Sequence, residues 1–118
     1  MKEIESVIGM VIKFLSLTDD CLRIGFIGSV YLDIWDNGRE LSERRYMTTD
    51  DNLQDYIGAT FLGVEVRPCE EVLRGYGEVL EMQFLVVQTS KGNITVCTHN
   101  DHNGYYSGIS IVMDIVSD

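Results

Sequence analysis

Apolar runs, most of them alternating with polar residues, fill much of the chain and are separated by short turn clusters. An alternation of period two predicts strands with one buried face. Runs of this kind cover residues 7–17, 21–26, 30–35, 60–67, 79–89, 93–98 and 109–116. With no regular exchange of strands and helices, the pattern predicts an α+β fold, a mainly antiparallel β sheet or partly closed barrel. Residues 68–77 are predicted to form a long mobile loop.

Turn signals between the runs predict which strands are neighbours. Thr18-Asp19-Asp20 and Ser90-Lys91-Gly92 each separate two apolar runs and predict hairpins. Asn37-Gly38 follows the run 30–35 and predicts a type I′ turn, because both central residues of that turn need a positive φ. The charged segment 40–47 would then return as an edge strand or as a solvated arm.

One short helix of about two turns is predicted after residue 48. Thr48-Thr49-Asp50-Asp51 supplies a capping hydroxyl and two acids that suit the first turn of a helix. Leu53, Tyr56 and Ile57 follow at helical spacing, and Gly58 predicts the end of the helix at a left-handed glycine.

The composition indicates one globular domain, residues 1–118, because 118 residues with 45% hydrophobic content are sufficient for a core. No apolar run reaches the roughly 20 residues that a membrane-spanning helix needs. Glu3 and Glu5 stand where a secretion signal carries basic residues. Cys21, Cys69 and Cys97 are odd in number and predict reduced thiols. We therefore expect a cytoplasmic protein.

The formal net charge is −10 and is unevenly placed. Residues 1–48 carry 8 acids and 6 bases, a net of −2, whereas residues 49–118 carry 11 acids and 3 bases, a net of −8. This balance disfavours direct binding of DNA or RNA, which needs cations that neutralise phosphates. It suits docking onto a basic protein surface, and plain solubility explains it equally well. The candidate contacts are Asp50, Asp51, Asp55, Glu70, Glu71, Glu78 and Glu81.

Residues 97–108 hold both histidines of the chain, close to a cysteine. Cys97 and His99 would share one face of a strand, and a turn at Asn100-Asp101 would return His102 to that face. These three residues are the candidate zinc ligands, with Asp101, water or a remote residue completing the shell. The spacing matches neither a zinc finger nor a zinc protease. In the alternative interpretation Cys97 faces the core and the histidines hydrogen-bond the turn.

Other constellations give no catalytic assignment. A reactive thiol needs a positive neighbourhood that lowers its pKa, and Cys97 lies in an acidic region. Asp50-Asp51 and Glu70-Glu71 are adjacent acids, whose side chains diverge on a helix or strand. Gly104 and Gly108 flank two tyrosines, but no lysine or helix start follows, which disfavours a phosphate loop. We expect a protein that is not an enzyme.

Three motifs carry a resemblance to a known family. They are Trp35-Asp36-Asn37-Gly38, Arg45-Tyr46-Met47-Thr48-Thr49-Asp50-Asp51, and His99-Asn100-Asp101-His102-Asn103-Gly104-Tyr105-Tyr106-Ser107-Gly108. With them the chain resembles a small uncharacterised family of phages and bacteria, from residue 20 to the C-terminus. Members of that family carry a Cys-Cys pair before the second motif, which would complete a Cys₂His₂ site. This chain has Leu41 and Ser42 there.

The resemblance implies a setting rather than an activity, namely small proteins carried by phages and mobile elements. A compact acidic protein in that setting is similar in character to inhibitors of host defence, including anti-CRISPR proteins that occupy basic nucleic-acid-binding surfaces. The leading prediction is a non-catalytic inhibitor of a host-defence enzyme in the host cytoplasm, a CRISPR effector nuclease such as Cas9. The runner-up is a small metal-dependent hydrolase or metal-sensing domain at the histidine corner, with Asp101 or Glu43 as the base.

Overall fold

The computed structural model describes residues 4–38, 44–73, 78–102 and 108–117. Within these ranges the chain forms nine strands and two short 3₁₀ helices. The strands are β1 Phe14–Leu17, β2 Leu22–Phe26, β3 Val30–Asp36, β4 Arg44–Thr49, β5 Phe61–Val66, β6 Glu70–Leu73, β7 Val79–Thr89, β8 Gly92–His102 and β9 Ile111–Ser117. The 3₁₀ helices are Ile4–Val7 and Leu53–Tyr56.

The strands form two antiparallel sheets, which confirms the predicted fold class. The first sheet has the order β1-β2-β3-β9, and the second has the order β4-β8-β7-β5, with β6 also pairing with β7. Neither sheet closes into a barrel among the described strands. No helix in the described part of the chain is long and apolar enough to cross a membrane.

The hydrophobic core lies between the two sheets. Strands β2 and β3 contribute fully buried alternate residues from the first sheet, and β5, β7 and β8 contribute them from the second. Phe26 and Phe61 meet across the layers with ring centroids 5.6 Å apart in an edge-to-face arrangement. Each large side chain removed from water in this way contributes roughly 1.5–3 kcal/mol. The fully buried members from β2, β3, β5, β7 and β8 are Leu22, Ile24, Leu32, Ile34, Phe61, Leu85, Val87, Ile94 and Val96.

The first predicted strand is shorter in the structure, because residues 9–12 pair with residues 58–61, at the start of β5, before the chain enters the first sheet. Ile12 N donates to Ala59 O, and Gly58 N donates to Ile12 O, both at 2.8 Å. Lys13 N then donates to Gly25 O at 2.8 Å, which starts the ladder of β1 with β2. The N-terminal segment therefore ties an edge of one sheet to an edge of the other.

The hairpin predicted at Asn37-Gly38 is wrong. Strand β3 pairs with β2 and β9, whereas β4 pairs with β8 in the other sheet. The carboxylate of Asp36 decides this local geometry, because its Oδ1 accepts hydrogen bonds from the backbone N–H groups of Gly38 and Ser110, both at 3.0 Å. The chain leaves the first sheet here, and the charged β4 becomes an edge strand of the second sheet, as predicted.

The predicted helix is a single 3₁₀ turn, and its cap is Asn52 rather than a threonine. The Asn52 side chain accepts a hydrogen bond from Gln54 N. Thr48 and Thr49 belong to β4, since that strand continues to pair with β8 up to Val96. Gly58 has φ +92°, as expected for a glycine that ends a helical turn.

The remaining strand predictions are confirmed, with one exception in the predicted loop. Strands β7 and β8 form the hairpin predicted at Ser90-Lys91-Gly92. Within the segment 68–77, residues Glu70–Leu73 form strand β6 instead of loop, because the edge of β7 beyond β5 offers backbone partners. Residues 74–77 lie outside the described part of the chain.

Candidate functional site

The outward face of the second sheet gathers half-buried aromatic, sulfur-containing and charged side chains. Strand register places Tyr46, His99, Met82 and Glu70 in one row across four strands. The next row contains Thr48, Cys97 and Phe84, and the row on the other side contains Arg44, Asp101 and Leu80. We call these ten residues the His99 face.

His99 lies at the centre of this face and is held by two neighbours from β4. Its imidazole stacks on Tyr46, with ring centroids 4.4 Å apart and an angle of 7° between the planes. His99 Nε2 is 2.9 Å from Thr48 Oγ1, a hydrogen-bond distance. Partial burial lowers the pKa of His99, and the charge of Asp101 opposes this effect only in part. The neutral imidazole is therefore favoured near pH 7.

Cys97 lies in a shallow cleft of about 200 Å³ at the end of β4. Asp50, Asp51 and Phe84 also line this cleft. Desolvation raises the pKa of the Cys97 thiol, and the charges of Asp50 and Glu70 raise it further. A thiol in this environment stays protonated at neutral pH, which disfavours nucleophilic attack by the thiolate.

The zinc prediction needs His102 beside Cys97 and His99. Strand β8 continues through this position, where the backbone of His102 pairs with Val79, so the turn predicted at Asn100-Asp101 is wrong. The His102 side chain lies outside the described part of the chain, as does Glu43, the alternative base. Among the described residues no cluster of three or more histidine, cysteine or carboxylate side chains is placed to hold a metal ion.

Six of the seven acids predicted to contact a partner lie at or near the protein surface. Asp50 and Glu70 border the cysteine of the His99 face closely enough to shift its pKa. Asp51 is partly buried and has a local structural role, because its Oδ2 accepts a hydrogen bond from Thr95 N at 2.8 Å. Asp55, Glu71 and Glu78 are exposed at other positions.

Glu81 differs from the other predicted contacts, because it is only 6% exposed. Its Oε1 accepts a hydrogen bond from Nδ2 of the fully buried Asn100 at 3.1 Å, and Cys69 Sγ lies 3.7 Å from its Oε2. Asn100 Oδ1 and the buried Thr98 Oγ1 have no hydrogen-bond partner among the described residues. The inward face of β8 therefore changes from apolar to polar toward its C-terminal end. This polar interior was not among the predictions, although the alternation Ile94, Val96, Thr98, Asn100 on β8 indicates it.

Residues from all three sequence motifs meet at the same end of the molecule. Arg45 Nη1 donates to Asp36 Oδ2 at 2.7 Å and to Gly108 O at 3.5 Å. The two side chains of this ion pair are 13% and 6% exposed, respectively. At Gly108 an added Cβ would lie 2.7 Å from Glu81 Oε2, so the backbone passes close to the buried carboxylate. These motif residues have structural contacts with one another.

Comparison of the chain with protein-family models, with curated proteins and with solved structures finds no match.

Proposed function

We propose that the protein is an acidic, non-catalytic binding protein that inhibits a nucleic-acid-handling enzyme by occupying its basic surface. The most concrete target is a CRISPR effector nuclease such as Cas9, in the cytoplasm of a host cell. The observation that carries the proposal is the set of exposed carboxylates that no described cation neutralises, two of which, Asp50 and Glu70, lie beside Cys97 of the His99 face.

The ion pairs of the described residues show which carboxylates remain available to a partner. Arginines pair with Asp33, Asp36 and Glu65. By contrast, five of the predicted contact residues are exposed and make no ion pair with any described residue: Asp50, Asp55, Glu70, Glu71 and Glu78. Carboxylates without a counter-charge create a negative potential that attracts a basic surface and speeds its association.

The centre of the His99 face supplies the apolar area that a charged rim alone lacks. Tyr46, Met82 and Phe84 are half-buried there, in adjacent rows of the sheet. Stable protein interfaces combine such an apolar centre with a polar rim, and aromatic residues and methionine are enriched in them. The stack on His99 already restricts the Tyr46 side chain, so binding of a partner costs little additional side-chain entropy at this residue.

A cleavage assay tests this proposal directly. Guide-loaded Cas9 is incubated with increasing amounts of the protein before linear target DNA is added. We expect the unmodified protein to inhibit cleavage and the variant Asp50→Lys/Glu70→Lys to lose inhibition, because both reversals place positive charge against a basic partner. Both side chains are exposed, so the melting temperature should stay near that of the unmodified protein.

The matched control is Glu5→Lys/Asp20→Lys, which makes the same change in net charge at exposed residues outside the His99 face. It should retain most of the inhibition. Equal inhibition by Asp50→Lys/Glu70→Lys and the unmodified protein would exclude the His99 face as the binding surface. An equal loss of inhibition in the control variant would show that total charge, and not the His99 face, is responsible for inhibition. Absence of inhibition by the unmodified protein would exclude this effector.

A further inference from the structure

Strand β9 is the last strand of the first sheet, and one of its two backbone edges is open among the described residues. It pairs with β3 over seven residues without a register shift. Asn37 N donates to Ser110 O at 2.8 Å, which fixes the alternation of the antiparallel ladder. The N–H and C=O groups of Ile111, Met113 and Ile115 therefore point away from β3. No described residue forms a hydrogen bond with these groups.

Apart from Asp114, the sequence of β9 lacks the usual protection of an edge strand. It reads Ile-Val-Met-Asp-Ile-Val-Ser, with no proline, lysine or bulge, and Asp114 is its one charged residue. Native proteins commonly block such edges with charged side chains, prolines or bulges. Ile111, Met113 and Ile115 pack against the core, so the open edge is held in an extended conformation.

Asp114 has a like-charged neighbour and no counter-charge from any residue in the described ranges. Register places Ser16, Arg23, Asp33 and Asp114 in one row across the outward face of the first sheet. Arg23 binds Asp33 in a two-point contact, with Nε to Oδ1 and Nη2 to Oδ2 both at 2.8 Å. Asp114 lies directly opposite Asp33 and forms no ion pair with any described residue. Like charges in directly opposed positions destabilise a sheet.

We propose that β9 is a docking edge for an extended segment of the basic partner, which adds a fifth strand to the first sheet. The segment carries lysine or arginine opposite Asp114 and apolar residues opposite Val112 and Val116. The added cation supplies Asp114 with a counter-charge, and the backbone ladder supplies affinity. This inference rests on the proposed function, because that function supplies the basic partner.

A second copy of the chain fits this edge less well. Symmetric antiparallel pairing centred on Asp114 would place the aspartates of the two copies opposite one another, in addition to Asp33 of each copy. The same charge that selects a basic strand therefore opposes self-association.

A seven-residue peptide, Thr-Val-Thr-Lys-Thr-Val-Thr, tests the proposal on the intact protein. Its sequence is symmetric, so it presents the same side chains in either strand direction. We expect saturable binding by fluorescence anisotropy and slowed hydrogen exchange at the amides of Ile111, Met113 and Ile115. A peptide with glutamate in place of lysine should bind at least about tenfold more weakly. Methylation of the two amides beside the lysine should abolish binding, since those amides pair with the edge.

The variant Asp114→Lys reverses the charge at the edge and should prefer the glutamate peptide. Asp20→Lys makes the same charge change in the turn between β1 and β2 and should leave the preference for lysine intact. Equal binding of the lysine and glutamate peptides, unprotected edge amides, or no saturation up to about 10 mM peptide would each overturn the proposal. So would protection of these amides that rises with protein concentration alone, because that result identifies a second copy as the occupant.

The cleavage assay separates this proposal from the proposed function. Suppose that Asp114→Lys inhibits cleavage as well as the unmodified protein, whereas Asp50→Lys/Glu70→Lys does not inhibit it. The β9 edge then has no part in binding the partner, and the proposed function is still supported. If the lysine peptide binds at the edge but the protein inhibits no cleavage, the docking proposal is supported and the proposed target is excluded.

Discussion

Asp36 should be the most sensitive polar position in the described structure, because one carboxylate joins three segments. Its Oδ1 accepts hydrogen bonds from Gly38 N and from Ser110 N, and its Oδ2 accepts one from Arg45 Nη1. These bonds connect the end of β3 to the start of β4 and to the segment that enters β9. We predict that Asp36→Ala destabilises the fold more than any exposed aspartate substitution.

The structure allows an order-of-magnitude figure for this loss. A hydrogen bond to a charged group contributes about 1.5–3 kcal/mol, and removal of one partner from a buried ion pair costs about 3–5 kcal/mol. Arg45 is 13% exposed and also donates a hydrogen bond to Gly108 O, and both features reduce the expected loss of stability. We therefore expect about 3 kcal/mol, which corresponds to a fall in melting temperature of roughly 10 °C for a domain of this size.

Urea unfolding followed by far-ultraviolet circular dichroism measures the effect. Asp36→Asn retains an oxygen acceptor for the two backbone N–H groups but removes the charge that faces Arg45, so its loss should be intermediate. The control is Asp33→Ala, whose partner Arg23 has a side chain 42% exposed to solvent, and its loss should be clearly smaller. A loss below about 0.5 kcal/mol for Asp36→Ala would refute the role of this carboxylate.

Three further predictions concern titration, the core and metal. Burial lowers the pKa of His99 below its ordinary 6.5. As the pH falls, the imidazole is therefore protonated in the unfolded chain before it is protonated in the folded chain, and stability should decrease below about pH 6.5. His99→Phe keeps a ring on Tyr46 and should flatten that slope in urea unfolding between pH 5 and 7, and an unchanged slope would contradict the assignment. Phe61→Ala should cost about 3–5 kcal/mol by the same method, whereas Leu62→Ala, at a side chain 48% exposed, should cost less than about 1 kcal/mol. Chelator should leave the melting temperature unchanged, because the described residues contain no cluster of three or more metal-ligating side chains; one equivalent of zinc in tag-free protein together with chelator-induced destabilisation would instead support the zinc site.

Local patterns predicted the strands and several turns well. Ser90-Lys91-Gly92 and Gly58 sit where backbone conformation is decided by a few neighbouring residues, and both were predicted correctly. The Asn37-Gly38 hairpin failed because the side chain of Asp36 binds the backbone of Ser110, far away in sequence. Strand β6 was missed because its formation depends on a free edge of β7, which no local pattern encodes.

The candidate site was predicted only in part, for a similar reason. The register of β4 against β8 brings Tyr46 and Thr48 to His99, and this pairing joins segments about 50 residues apart. Glu81 was expected at the surface because an acid usually is, but it lies on the face of β7 that is turned away from water and is only 6% exposed. The alternation along a strand predicts two faces, and only the packing of the sheets decides which face water reaches.

The central claim is that the protein occupies the nucleic-acid-binding surface of its target, and displacement of bound DNA tests it most directly. Fluorescence anisotropy of labelled target DNA held by guide-loaded, cleavage-inactive Cas9 is followed while the protein is added. We predict that the unmodified protein displaces the DNA, that added salt weakens this displacement, and that Asp50→Lys/Glu70→Lys does not displace it. DNA that stays bound at saturating protein, or equal displacement by the reversed variant, would contradict the account.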